Sequence, residues 1–129
     1  MFKEILFATD GTEASDRAAK VAVDLARSHG AALAAVFVID PSPKFRLGKT
    51  NPWVHIANLA TTGGANVPFR TLLVEDMVAY KGIVKAAKEQ NADLIVVGSN
   101  TRKGLQRLLA GSTGNKVSLH AQQPVLVVK

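Results

Sequence analysis

The 129-residue sequence contains no cysteine, and aromatic residues make up only 5% of it. Without cysteine the chain can form neither a disulfide scaffold nor a thiolate metal site, and it has no cysteine nucleophile. The few aromatic residues are scattered, which argues against a stacking platform for nucleic acid bases. The length is typical of one compact unit, so we expect a single domain over residues 1–129.

Long apolar runs and a secretory leader are also missing. No stretch approaches the roughly 18 apolar residues of a membrane-spanning helix. The first apolar run, Ile5–Ala8, is too short for the core of a secretory signal, and the acidic Glu4 directly precedes it. We therefore expect a cytoplasmic protein that does not bind a membrane.

Acidic residues are absent from two segments of this basic chain, whose formal net charge is +6. Residues 41–74 carry four basic and no acidic side chains, and residues 94–129 carry five basic and none acidic. This imbalance indicates either an anionic partner near one segment or a solvated surface that keeps the protein soluble. We do not expect nucleic acid as the partner, because no recognised nucleic-acid-binding module occurs.

Short apolar runs alternate with helical patterns along the chain. Continuous rather than alternating hydrophobicity is typical of parallel strands that are buried on both faces. The predicted strands are Ile5–Ala8, Leu33–Ile39, Val67–Val74, Leu94–Val97 and Val125–Val128. The predicted helices run from an N-cap at Thr12 to His29, over residues 51–64, from a cap at Asp76 to Asn91, and over residues 105–120. This alternation predicts a doubly wound α/β sheet with right-handed crossovers.

In such a sheet, ligands bind beyond the carboxyl ends of the strands, where the strand order reverses. Two loops qualify, over residues 8–12 and 98–112. The second begins with Gly98-Ser99 and ends at Gly111-Ser112-Thr113. Glycine N–H groups, hydroxyls and a helix N-terminus can together cradle phosphate, although Gly-Ser also occurs in ordinary tight turns. Neither G-x-x-x-x-G-K-[ST] nor G-x-G-x-x-G occurs, which excludes the P-loop and the dinucleotide fingerprint.

Catalytic and metal-binding patterns are not found in the sequence. The three histidines, His29, His55 and His120, are far apart, and no cysteine could complete a metal site with them. The serines lack a G-x-S-x-G elbow and an identifiable histidine partner. We therefore predict no metal site and no enzymatic activity.

Five stretches of the sequence carry a resemblance to one known family: residues 5–15, 37–41, 92–99, 104–112 and 120–128. They follow one another in family order over nearly the whole sequence, and with them the chain resembles the universal stress protein family. The resemblance implies a five-stranded parallel sheet of order 3-2-1-4-5 with helices on both faces, as in adenine nucleotide alpha hydrolase-like folds. It also implies a homodimer formed through Val125–Val128 and an unidentified protein partner.

The nucleotide-binding branch of this family carries G-x-x-G-x(9)-G-[ST] after the fourth strand. Here the spacing survives as Gly98, Thr101, Gly111 and Ser112, with Thr101 in place of the second glycine. The resemblance implies a small stress-response module that binds ATP or a related adenine nucleotide with little or no hydrolysis. The residues that it implies for the nucleotide site are Ala8, Thr9, Asp10, Val38, Gly98, Ser99, Thr101, Arg102, Gly111, Ser112 and Thr113.

Thr101 also supports an alternative function. A β-branched residue resists positive φ and places a Cβ and a hydroxyl where backbone would otherwise meet phosphate. The connection from Asp40 to Val67 is shorter than the family usually has, so part of one pocket wall is expected to be missing. The alternative is a dimeric interaction protein of the same family that binds no nucleotide.

Overall fold

The computed structural model of the protein describes residues 2–9, 13–39, 67–76, 78–98 and 111–129. Within these ranges the chain alternates between strands and helices. The elements are β1 (Glu4–Thr9), α1 (Glu13–His29), β2 (Ala32–Ile39), β3 (Phe69–Glu75), α2 (Ala79–Glu89), β4 (Leu94–Gly98), α3 (Gly111–His120) and β5 (Val125–Val128).

The five strands form one parallel sheet of order β3-β2-β1-β4-β5. This confirms the fold class, the strand order and all five predicted strands. β1 lies at the centre, where Ile5 pairs with Leu33 of β2 on one side and with Leu94 of β4 on the other. The predicted helix over residues 51–64 lies outside the described residues, as do residues 105–110 of the last predicted helix.

Two hydrophobic layers cover the sheet, one on each face. Alternate residues of β1 point to opposite faces, so Ile5 and Phe7 pack under α1, whereas Leu6 packs under α2 and α3. The buried alanines of α1 have small side chains, and these allow the helix to lie close to the sheet. Helices therefore cover both faces, as predicted.

The edge strands differ from the three central ones. β4 is buried at four of its five positions, and β2 is buried throughout its middle, as continuous apolar runs predict. In β3 half-buried and exposed residues alternate, and Leu73 is 61% exposed. β5 also has exposed positions, with Leu126 38% exposed. Burial on both faces is thus confined to the centre of the sheet.

The helix ends follow the sequence signals in part. Gly30 and Asn91 adopt left-handed φ values of 64° and 53°, directly after α1 and just after α2, as predicted for these stop residues. The predicted cap at Asp76 is wrong, because α2 begins at Ala79 with Val78 as its N-cap. Asp76 instead accepts a hydrogen bond from the Val78 N–H at 2.9 Å, which shapes the turn before the helix. None of the described helices is long and apolar enough to cross a membrane.

Polar contacts at the amino edge of the sheet hold β1 in place. The Asp93 carboxylate accepts hydrogen bonds from the Lys3 N–H at 2.8 Å and from the Glu4 N–H at 3.2 Å. On the other side, the Arg70 guanidinium donates to Glu4 at 2.9 Å and to Gln90 at 2.8 Å. Side chains from the starts of β3 and β4 and from the end of α2 therefore converge on the start of the central strand.

We expect Asp93→Ala to lower the free energy of unfolding by about 1–3 kcal/mol, because two backbone N–H groups lose a charged acceptor. Urea denaturation followed by circular dichroism measures this change. Asp24→Ala is the matched control, because Asp24 is exposed and forms a surface ion pair with Arg27 at 3.7 Å. The control should change the free energy of unfolding by less than about 0.5 kcal/mol. Equal effects of the two substitutions would contradict the role given to Asp93.

Candidate functional site

The strand order of the sheet reverses between β1 and β4. From β1 the chain continues to β2 and β3 on one side, and from β4 it continues to β5 on the other. Ala8 pairs with Val97 of β4 and with Val36 of β2, so the ends of these three strands are adjacent. Ala8, Thr9 and Gly98 therefore lie together at the switch point, where open α/β sheets bind their ligands.

Val38 lies on the same face of the sheet as Ala8. It follows Val36, the partner of Ala8, by two residues, and side chains two residues apart on a strand share a face. Both side chains are half-buried and border the apolar layer under α2 and α3. They form an apolar wall near the carboxyl ends of β1 and β2.

The N-terminus of α3 lies at this edge of the sheet as well. A Cβ added at Gly114 would lie 3.8 Å from a methyl of Val127 and 3.9 Å from a methyl of Val97, so α3 packs on the ends of β4 and β5. Gly111, Ser112 and Thr113 form the first turn, which contains no acidic residue. The helix dipole makes such a turn favourable for an anion.

Gly82 of α2 shapes the wall at Val38 and was not among the predicted site residues. A Cβ added at Gly82 would lie 2.9 and 3.0 Å from the two methyl groups of Val38. These distances are shorter than van der Waals contact, and the Val38 side chain is short and stiff. Glycine therefore lets α2 approach β2 at this point. The signal was a glycine inside a helical pattern, which often marks close packing.

The structure thus brings seven of the predicted site residues to one edge of the sheet: Ala8, Thr9, Val38, Gly98, Gly111, Ser112 and Thr113. For Thr9, Gly111 and Ser112 it describes the backbone alone. The other four, Asp10, Ser99, Thr101 and Arg102, lie outside the described residues. Among the residues that the structure describes, no three His, Asp or Glu side chains are placed to hold a metal ion.

Comparison with known proteins gives one consistent family. Residues 1–129 match the profile of the universal stress protein family. A universal stress protein of Methanocaldococcus jannaschii is 34% identical over an alignment that covers 100% of this chain and 83% of the relative.

Solved structures share the fold at lower sequence identity. A universal stress protein in complex with cAMP superposes with a TM-score of 0.78 at 22% identity, covering 99% of this chain and 97% of that one. The universal stress protein from Archaeoglobus fulgidus in complex with dAMP gives a TM-score of 0.69 at 22% identity, with 98% of each chain covered.

Gly82→Ala should lower the free energy of unfolding by about 1–3 kcal/mol, because the new methyl group clashes with Val38. In a Val38→Ala background the clash is removed, and Gly82→Ala should raise that free energy by up to about 1 kcal/mol through helix propensity. Urea denaturation of the four proteins of this double-mutant cycle measures both changes.

Gly114→Ala is the matched control for this cycle. Its Cβ would meet neighbours at 3.8–4.0 Å, which is ordinary contact, so the substitution should stabilise the protein or leave it unchanged. If Gly82→Ala stabilised the otherwise unchanged protein as Gly114→Ala does, the close approach of α2 to Val38 would be wrong.

Proposed function

The chain belongs to the universal stress protein family, and from this premise we propose that it is a stress-response regulatory protein that binds ATP or a related adenine nucleotide. The observation that carries the proposal is the convergence of Ala8, Gly98 and the first turn of α3 at the switch point of the sheet. An apolar wall there suits a base, and N–H and hydroxyl donors beside it suit phosphate.

Relatives of known structure support the choice of an adenine nucleotide. Two of the solved universal stress proteins that share this fold are complexes with cAMP and with dAMP. Both ligands combine an adenine base with one phosphate group. We therefore propose adenine mononucleotides as the ligand class. Among them we propose ATP, because it has the most phosphate groups to accept hydrogen bonds from the donors at this edge.

We assign the roles as follows. Ala8, Thr9 and Val38 contact the base and sugar, and the Asp10 carboxylate accepts a hydrogen bond from a ribose hydroxyl. Phosphate contacts come from Gly98, Ser99, Thr101 and Arg102, together with Gly111, Ser112 and Thr113. In this assignment the Thr101 hydroxyl and the Arg102 charge replace the backbone contact that a glycine would give at position 101.

We propose that the protein is a sensor rather than an enzyme. In the described part of the site, Ala8, Val38 and Thr113 contribute side chains and Gly98 contributes backbone. None of these groups is a general base. Nucleotide binding would then stabilise one conformation and change the behaviour of a partner protein. We further propose that residues 1–129 form a single domain, because β1 and β5 belong to the same sheet. We also propose a cytoplasmic location.

Thr101 favours a second candidate, an interaction protein of the same family that binds no nucleotide. The two candidates differ in what a glycine at this position would do. If the threonine blocks phosphate, binding will appear only in the Thr101→Gly variant.

We also propose that β5 pairs with its counterpart in a second copy of the chain. β5 is an edge strand, and the side chains of Leu126 and Val127 are 38% and 37% exposed. An apolar edge with unpaired N–H and C=O groups is a ready template for another strand. A homodimer would cover it.

Isothermal titration with ATP, AMP and cAMP tests the nucleotide proposal, together with mass spectrometry of the supernatant after the purified protein is denatured. We expect an adenine nucleotide in the supernatant, or micromolar binding on titration. Thr101→Gly should strengthen binding, whereas Gly111→Val should weaken it at least about tenfold by crowding the phosphate. Thr71→Gly, an exposed position on β3, is the matched control and should leave affinity unchanged.

Two results would contradict the nucleotide proposal. No released nucleotide and no binding at millimolar ATP would exclude it for the natural sequence. Binding that appears only in Thr101→Gly would establish the second candidate instead.

Multi-angle light scattering tests the dimer. We expect a homodimer for the natural sequence and a monomer for Leu126→Lys, because a lysine on the edge strand opposes pairing between copies. Leu73→Lys places the same charge on the other edge strand and should leave the dimer intact. A monomeric natural protein, or a dimer lost equally in both variants, would contradict pairing through β5.

A further inference from the structure

An open groove of about 370 Å³ runs along the outer face of α2 and reaches the end of α3. Its lining residues are Tyr80, Lys81, Val84, Lys85, Lys88 and His120. None of the residues assigned to the nucleotide site lines it. The groove is therefore distinct from the candidate nucleotide site.

The floor of the groove is apolar and is held in place by ring contacts. The rings of Tyr80 and His120 stack with their centroids 5.0 Å apart and their planes 28° apart. The Lys116 ammonium lies 5.4 Å from the centre of the Tyr80 ring. Tyr80 also packs against the apolar layer between the sheet and these helices. This arrangement fixes the Tyr80 ring at one end of the groove.

Lysines form the rim of the groove. Lys81, Lys85 and Lys88 follow a spacing of four and then three residues, so they share one face of α2 over a length of about 10 Å. Of the carboxylates in the described part of the chain, none lies within ion-pair distance of these three amines. Lys116, over the Tyr80 ring, adds a fourth positive charge next to the groove.

We propose that this groove is a docking surface for an acidic segment of a partner protein, with carboxylates on the lysine rim and an apolar side chain on the floor. Opposite charge at the rim steers and orients such a segment, and the apolar floor supplies buried area at the centre. Leu119, next to His120 in the sequence, is 79% exposed and adds apolar surface on α3. When the carboxylates of the segment pair with the three lysines, they also offset the repulsion between these neighbouring like charges on α2.

The aromatic pair favours an acidic peptide over a nucleic acid. Binding of single strands relies on aromatic faces that are free to stack on bases. Here the Tyr80 ring already stacks on His120, and the Lys116 ammonium lies over the Tyr80 ring. The remaining floor residue, Val84, is aliphatic and offers no stacking surface. A peptide uses the same floor by inserting an apolar side chain.

Fluorescence anisotropy with the full chain and a labelled probe tests the proposal. The probe is an amphipathic peptide of about four helical turns with glutamates along one face and leucines beside them. We expect binding that weakens with added salt and falls at least about tenfold when the glutamates are replaced by glutamines. Lys85→Glu with Lys88→Glu should cause a similar loss. Lys85→Gln with Lys88→Gln is a milder pair, for use if thermal unfolding shows that the first pair disturbs the fold.

The matched control is Arg17→Glu with Lys20→Glu, which reverses two exposed charges at the same three-residue spacing on α1, across the sheet. This control should retain binding. The proposal is overturned if the acidic peptide does not bind at millimolar concentration, if the glutamine peptide binds equally well, or if the control variant loses as much affinity. A single-stranded oligonucleotide that binds more tightly than the peptide through Lys85 and Lys88 would identify a nucleic acid surface instead.

Discussion

The central strand β1 is paired on both of its edges, and most of the structure depends on this double pairing. β2 and β4 hydrogen-bond to it from either side, α1 covers one face, and α2 with α3 covers the other. Asp93, directly before β4, holds the two N–H groups at the start of β1. Because β1 separates the two halves of the sheet, its carboxyl end is also the point where loops from both halves meet. One strand therefore organises both the core and the candidate site.

Small residues set how closely the helices approach this sheet. On α1, alanines such as Ala18, Ala22 and Ala26 are almost fully buried and bring the helix axis near the strands. On α2 a single glycine, Gly82, does the same above Val38. The two faces differ in consequence. Close packing on the α1 face serves the core alone, whereas the contact between Gly82 and Val38 fixes a wall of the candidate nucleotide pocket.

Sequence patterns predicted the sheet well because its three central strands are buried on both faces, and such strands appear in the sequence as apolar runs. Continuous apolar runs mark β1, β2 and β4, and the resemblance to the universal stress protein family supplied the order of the strands. Local rules were less reliable at helix starts. Asp76 has the right chemistry for an N-cap, but its carboxylate accepts a hydrogen bond from the Val78 N–H in the turn before the helix. The glycine inside the α2 pattern signalled close packing at Gly82, but its partner Val38 was not predictable, since it lies 44 positions away in the sequence.

The pairing of β1 with β4 has a kinetic consequence. The Lys3 N–H and its Asp93 acceptor are separated by 90 residues, so this edge of the central strand forms only through long-range contact. Parallel pairings between distant segments fold slowly, because loop closure comes before the contacts that reward it. Until residues 94–96 have been synthesised, Ile5, Leu6 and Phe7 lack their pairing partners in β4. During synthesis the nascent chain therefore exposes the edge of an apolar strand, and in this interval aggregation competes with folding.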